Sequence, residues 1–150
     1  MKWLILIFLV SLGGCGVATY EEVVGDENYS TPTPDLSGST VQELADWVGE
    51  HTIYETNQQQ FGTDTYWETP AETLASGHGD CKAMAILLLY LAHKFCAVDG
   101  TLVKESDGGS EDHVFPKVDG VDYWALPGYS PVREWTYAEA MWIAEKHLDE

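Results

Sequence analysis

An α+β fold, with a central helix that carries a cysteine packed on a small antiparallel sheet, is predicted by three observations. The most apolar stretch outside the N-terminus, Ala83 to Leu91, repeats Met84, Leu87, Leu88 and Leu91 at helical spacing. Two short runs of strand character, 113–118 and 121–126, flank Asp119-Gly120, a strong hairpin signal. Helical signals come mostly before the strand signals, the order expected of segregated α and β layers rather than alternating βαβ units. With 150 residues, 45% of them apolar and 12% aromatic, the chain has enough apolar material for one modest core.

The first 14 residues read as a secretory signal, with Lys2 before an apolar run from Trp3 to Val10 and small residues after it. The run is shorter than the roughly 20 residues that span a bilayer. Leu12-Gly13-Gly14-Cys15 resembles the lipobox of bacterial lipoproteins, which implies a diacylglycerol thioether on Cys15 and cleavage just before it. Residues 15–38, rich in Gly, Ser, Thr, Pro and acidic side chains, read as a tether with a reach of roughly 25 Å. The expected organisation is thus a signal at 1–14, a lipidated tether at 15–38 and one domain at 39–150.

Within the domain, Thr40 and Glu43 form a capping box for a helix over 41–51. Residues 53–61 weaken into a frayed helix or loop. Thr69, Pro70 and Glu72 start a short helix that Gly77 ends at Ser76. The central helix starts at Asp80 or Cys81 and runs to about Lys94. Thr101 to Val103 reads as a strand, Asp107 to Ser110 as a loop, and Pro116 demotes its strand to an edge or a bulged one. Thr136 and Glu139 cap a C-terminal helix carrying Ala140, Met141, Ala144 and Leu148.

The formal charge of −18, from 25 acidic and 7 basic residues, excludes a nucleic-acid partner, because binding phosphates requires a basic footprint. Cys15, Cys81 and Cys96 make no CxxC pair, and the five histidines make no HExxH, so neither a metal nor another cofactor is expected. The acidic loop 107–112 lacks the spacing of an EF-hand. Cys96, among apolar residues at the end of the central helix, reads as a buried free thiol. Cys81 differs, because Gly77-His78-Gly79-Asp80 places it on the first turn of a helix, where unpaired N–H groups and the dipole favour a thiolate. A nucleophilic cysteine needs a base within reach. His113, 32 residues on at the start of a strand, is the best placed. His93 lies 12 residues along the helix, roughly 18 Å away.

Trp67-Glu68-Thr69-Pro70-Ala71-Glu72, Gly77-His78-Gly79-Asp80-Cys81 and a histidine opening a strand together resemble the bacterial transglutaminase-like cysteine peptidases of the wider papain-like transglutaminase superfamily. The resemblance covers roughly residues 51–127. It implies a papain-like core, Cys81 as nucleophile, His113 as base, and an acyl-enzyme thioester resolved by water or an amine. The implied function is a lipid-anchored peptidase or amidase acting on protein or peptide amides at the bacterial envelope, facing the periplasm or the exterior. A catalytically silent binding domain is the alternative. Two departures stand out. Lys82-Ala83 follow the cysteine, where relatives often carry acids. The family's third residue, an aspartate or asparagine, falls near Leu126 or Pro127, neither of which has an accepting side chain. Either a carbonyl or a displaced acid then orients His113. For the oxyanion hole, the Cys81 N–H needs a second donor, with Tyr66, Trp67 and Gln58 to Gln60 as candidates.

Overall fold

A computed structural model describes residues 34–109 and 112–147. The expected signal peptide, the lipidation site Cys15 and most of the tether lie outside these residues. Leu36, within the expected tether, packs against the core.

The α+β architecture is the expected one. Helix α1 (Val41–His51) has the Thr40/Glu43 capping box. The ambiguous stretch after it divides into a two-residue strand β1 (Ile53–Tyr54) and a short helix α2 (Asn57–Phe61), with Thr56 and Gln59 forming its capping box. Its boundaries come from turn chemistry rather than apolar periodicity, since Gly62 ends it in the left-handed region. Helix α3 (Pro70–Ser76) starts at the Thr69 cap and stops at Gly77, as its punctuation predicts. A two-residue strand β2 (His78–Gly79) leads into the central helix α4 (Cys81–Cys96).

Strands β3 (Thr101–Ser106), β4 (Asp112–Val118), β5 (Val121–Asp122) and β6 (Ser130–Thr136) form an antiparallel sheet in the order β5-β4-β3-β6. Helix α5 (Tyr137–Lys146) closes the described chain behind its own Thr136/Glu139 box. One expectation needs correction, and one strand gave no signal in the sequence. The hairpin's second strand, expected through residue 126, stops at Asp122, because Trp124 takes a left-handed backbone (φ 65°) that a strand cannot continue through. Strand β6 has no alternating apolar signature because it is an edge strand, with Trp135 its one buried residue.

Helix α4 lies between two layers, which is why its apolar run is nearly continuous. Leu87, Leu88 and Leu91 pack on Leu44, Ala45 and Val48 of α1. Ala85, Ile86 and Leu89 face Leu102, Val114, Val118 and Trp135 of the sheet, together with Ala140 and Ile143 of α5. A helix held on both sides is a rigid base for whatever its first turn carries.

Candidate active site

The segment before α4 is shaped by its backbone. Gly77 takes the left-handed conformation (φ 69°) that caps α3. Gly79 has no room for a side chain, since a Cβ there would stand 2.8 Å from Ala83 Cβ and 3.3 Å from both Glu68 Oε2 and Thr73 Cγ2. Strand β1 runs parallel to this stretch, with Ile53 N–H donating to Gly77 O (2.8 Å) and Glu55 N–H to Gly79 O (3.1 Å). His78 turns away from α4 and pairs through Nδ1 with Glu55 Oε2 at 2.8 Å. Asp80 caps the helix, its Oδ1 accepting from Lys82 N–H (2.9 Å) and Ala83 N–H (3.0 Å) while its Oδ2 holds Lys82 Nζ (2.9 Å). The Gly-His-Gly-Asp sequence is thus a left-handed turn at Gly77, a position without room for a side chain at Gly79, a tie to β1 and a helix cap, all serving to deliver Cys81.

Cys81 and His113 line one cleft of about 260 Å³, walled by Tyr54, Met84, Val114, Trp124 and Leu126. The topology explains the meeting. Strand β5 pairs only with Lys117 and Val118, so the edge of β4 before Pro116 is left open toward the start of α4. Pro116 suits that edge: its carbonyl accepts from Tyr123 N–H (3.0 Å) on the side away from β3, where a proline's missing N–H costs no ladder bond. Two residues earlier and pointing the same way, the Val114 N–H acts on the Cys81 sulfur and favours its anion.

His113 stands opposite Glu105 of β3. Its Nε2 lies 3.0 Å from the carbonyl oxygen of Trp124. A carbonyl only accepts, so Nε2 carries the ring proton of the neutral imidazole, and Nδ1 is left with the lone pair. The missing side chain near Pro127 is therefore replaced by a main-chain oxygen. A bulky residue in the left-handed region is an outlier, and here that conformation accompanies the carbonyl's contact with His113. Asp112, the acid adjoining His113, belongs to the other face and pairs with Lys104 (2.6 Å).

The thiol is not the ready thiolate that helix position alone suggests. Burial and the Asp80 carboxylate push it above its ordinary value, against the opposing pull of the Val114 N–H, the Lys82 ammonium and the Lys82 N–H. The Lys82 charge is shared with the Asp80 carboxylate, the Trp67 ring (5.7 Å) and the Asp64 carbonyl (3.3 Å). Cys96 also departs from expectation. At the exposed end of α4 it is only half-buried, and it is disulfide-bonded rather than free. Cys81 is the free cysteine of the described residues.

None of the candidates for the second oxyanion donor lines the cleft. Trp67 is buried edge-on against Trp135, and Tyr66 donates its hydroxyl to Glu72 (2.8 Å). Gln59 closes the cap of α2, and Gln60 donates to Glu55 O (3.3 Å). Sequence reasoning did not single out the Trp124 carbonyl or Glu105. A carbonyl contributor leaves no residue-type signal, and an isolated glutamate on a short strand looks like any other acid of this acidic chain.

No family model matches the sequence, and no curated protein matches it. Among solved structures, the chain is similar to Legionella pneumophila LapG, at 19% identity and a TM-score of 0.47, over 63% of this chain and 62% of that one. It is similar to the EGTA-treated form of LapG at 18% identity and a TM-score of 0.47, over 63% of this chain and 61% of that one. The chain thus spans about three fifths of the length of these neighbours. At that level of likeness, the chemistry has to be read from this chain's own residues.

Proposed function

We propose that the domain is a transglutaminase-like cysteine peptidase or amidase in which Cys81 is the nucleophile and His113 the base. The observation that carries the reading is the cleft itself. A free cysteine on the first turn of a rigid helix and a histidine with a fixed tautomer line the same walls. In the reaction, His113 Nδ1 takes the Cys81 proton as the sulfur attacks the substrate's carbonyl carbon. The imidazolium then returns that proton to the departing amine as the C–N bond breaks, leaving a thioester. Water or a second amine, deprotonated by the same nitrogen, cleaves the thioester and restores the thiol. Because the thiol rests above its ordinary value, proton transfer accompanies attack instead of preceding it in a standing ion pair.

The test is labelling by iodoacetamide followed across pH, with the modified residue located by mass spectrometry. Cys81 should be the modified site, with a rate that keeps rising above pH ~8.5, the ordinary thiol value. A peptide-amide acyl donor should leave a thioester on Cys81 that is absent from a folded Cys81→Ala variant. A well-folded protein that never acylates Cys81 with any peptide or activated ester would sink the enzyme reading. The second reading, a silent binding domain, draws on the same raised thiol and on a neutral carbonyl standing where the family has an acid. It expects a partner to be bound equally by the wild type and by Cys81→Ala.

We further propose that the domain works at a membrane of the bacterial envelope, facing the periplasm or the exterior, held by lipid on Cys15 through the tether. Thioether and disulfide exclude each other at one sulfur, and Cys81 is free, so the anchored form is the one in which Cys96 has no disulfide within the chain. The mass of the non-reduced N-terminal peptide, with or without a diacylglycerol adduct, decides it.

A further inference from the structure

Glu105 lies in the middle of the sheet and is buried, at 2% exposure, although nothing in the reaction above uses it. An acid so placed needs a partner that offsets its desolvation. It has one: Leu126 N–H donates to its Oε1 at 2.7 Å, the short distance of a hydrogen bond to a carboxylate. Leu126 belongs to the same loop as Trp124, whose carbonyl meets His113. Glu105 and His113 are opposed across β3 and β4, and opposed residues share one face of a sheet. The loop therefore touches two neighbouring side chains on that face, Trp124 O on His113 and Leu126 N–H on Glu105.

Little else fixes the middle of the loop. Trp124 and Leu126 are 36% and 40% exposed, so side-chain packing holds it only in part. Its other backbone ties are at its ends, Tyr123 N–H to Pro116 O (3.0 Å) and the Pro127-Gly128 turn closed by Tyr129 N–H to Leu126 O (3.3 Å). On the far side of Glu105, the register between β3 and β6 slips between Lys104 and Glu105, setting Glu105 opposite Pro131. Irregularities of this kind beside a site commonly re-aim a side chain.

We infer that Glu105 is a positioning residue for His113: it holds the Leu126 amide, the amide fixes the loop, and the loop holds the Trp124 carbonyl on Nε2. The acid missing near Pro127 is thereby supplied from β3 at one remove, through main chain. The inference rests on His113 being the base of the proposed reaction, but its test reads the ring itself and not turnover.

The experiment is 15N NMR of the histidine rings in the full chain at a pH where His113 is neutral, comparing wild type, Glu105→Ala and Glu105→Gln. Wild type should show the Nε2–H tautomer at His113. Glu105→Ala should mix the two tautomers and slow iodoacetamide labelling of Cys81 about tenfold, part of the roughly 10²–10⁴-fold that a fully positioned base contributes. Glu105→Gln, whose side-chain oxygen can still accept from Leu126, should restore the tautomer. In the wild type, the Leu126 amide should exchange with solvent at least about a hundredfold more slowly than that of Gly128, as expected of a held amide in a surface loop. A folded Glu105→Ala with an unchanged His113 tautomer overturns the inference. If that variant does not fold, Leu126 exchange as fast as that of Gly128 in the wild type overturns it. Should Cys81 prove chemically silent while Glu105→Ala still scrambles the His113 tautomer, the positioning role stands and the enzyme reading falls.

Discussion

Glu68 has the least favourable setting of any carboxyl in the described chain. It is 1% exposed, and its Oε2 is buried with no hydrogen-bond partner. Burial first, then the Asp80 and Glu72 carboxylates, push it up to about 7 from 4.5, with Lys82 only partly opposing them. The fold therefore prefers the protonated acid. Its stabilising contribution is fully present below pH 4.5 and is lost as the pH rises toward 7, on the order of 3 kcal/mol across that window. Glu68→Gln keeps the shape without the charge. Urea unfolding from pH 5 to 8 should show the variant gaining on the wild type by roughly that amount at the alkaline end. Equal pH slopes for the two proteins would exclude a buried titrating Glu68. Because Glu68 lies under Gly79, one residue from the Asp80 cap, this pH sensitivity is placed beneath the cysteine turn.

The unit that makes the cysteine turn is not α4 alone but α3, β2 and the first turn of α4 clamped by β1. Its capping box, left-handed glycine and helix-capping aspartate are local features, each legible in sequence as spacing. The absence of room at Gly79 is different, because Ala83, Glu68 and Thr73 crowd it from three segments. Gly79→Ala should cost about 1–3 kcal/mol, the usual range for an overpacked position, and slow alkylation of Cys81 as the turn shifts. Thermal unfolding and labelling rate should change together. A variant of native stability and labelling rate would mean that the turn yields more easily than its contacts suggest. Elements with strong local signals, α1, α3, α4 and α5, are found where periodicity and caps place them. Strand β6 and the truncated β5 are not, since an exposed edge strand needs no apolar alternation and a hairpin signal at Asp119-Gly120 fixes where a turn lies but not how far pairing continues.

Across the whole molecule, a net charge of −18 is distributed over a single small domain and its N-terminal segment. The ion pairs among the described residues are few and mostly at the surface, where each contributes little. Self-repulsion therefore outweighs them, and added salt should stabilise the protein by screening. Raising NaCl from 0.05 to 1 M should lift Tm by roughly 5 °C, equivalent to about 1 kcal/mol for a domain of this size. Calorimetry would show it, and a Tm that falls with salt would mean that attractive pairs dominate. The candidate site itself is walled mostly by apolar side chains, with Tyr54, Trp124 and Leu126 exposed on the cleft.

Sequence by itself determined what short-range physics controls: the α+β class, four helix starts marked by caps, the cysteine on a helix N-terminus and the histidine at a strand start. These rest on neighbours within one or two turns, which spacing records directly. Tertiary structure alone decided what surrounds them. Burial and Asp80 raised a thiol that helix position would have lowered, and an exposed backbone oxygen at Trp124 took the place of a missing side chain. A buried glutamate from another strand came to hold the loop carrying that oxygen. Desolvation and main-chain contacts depend on which distant segments meet, and no residue type in the sequence encodes them.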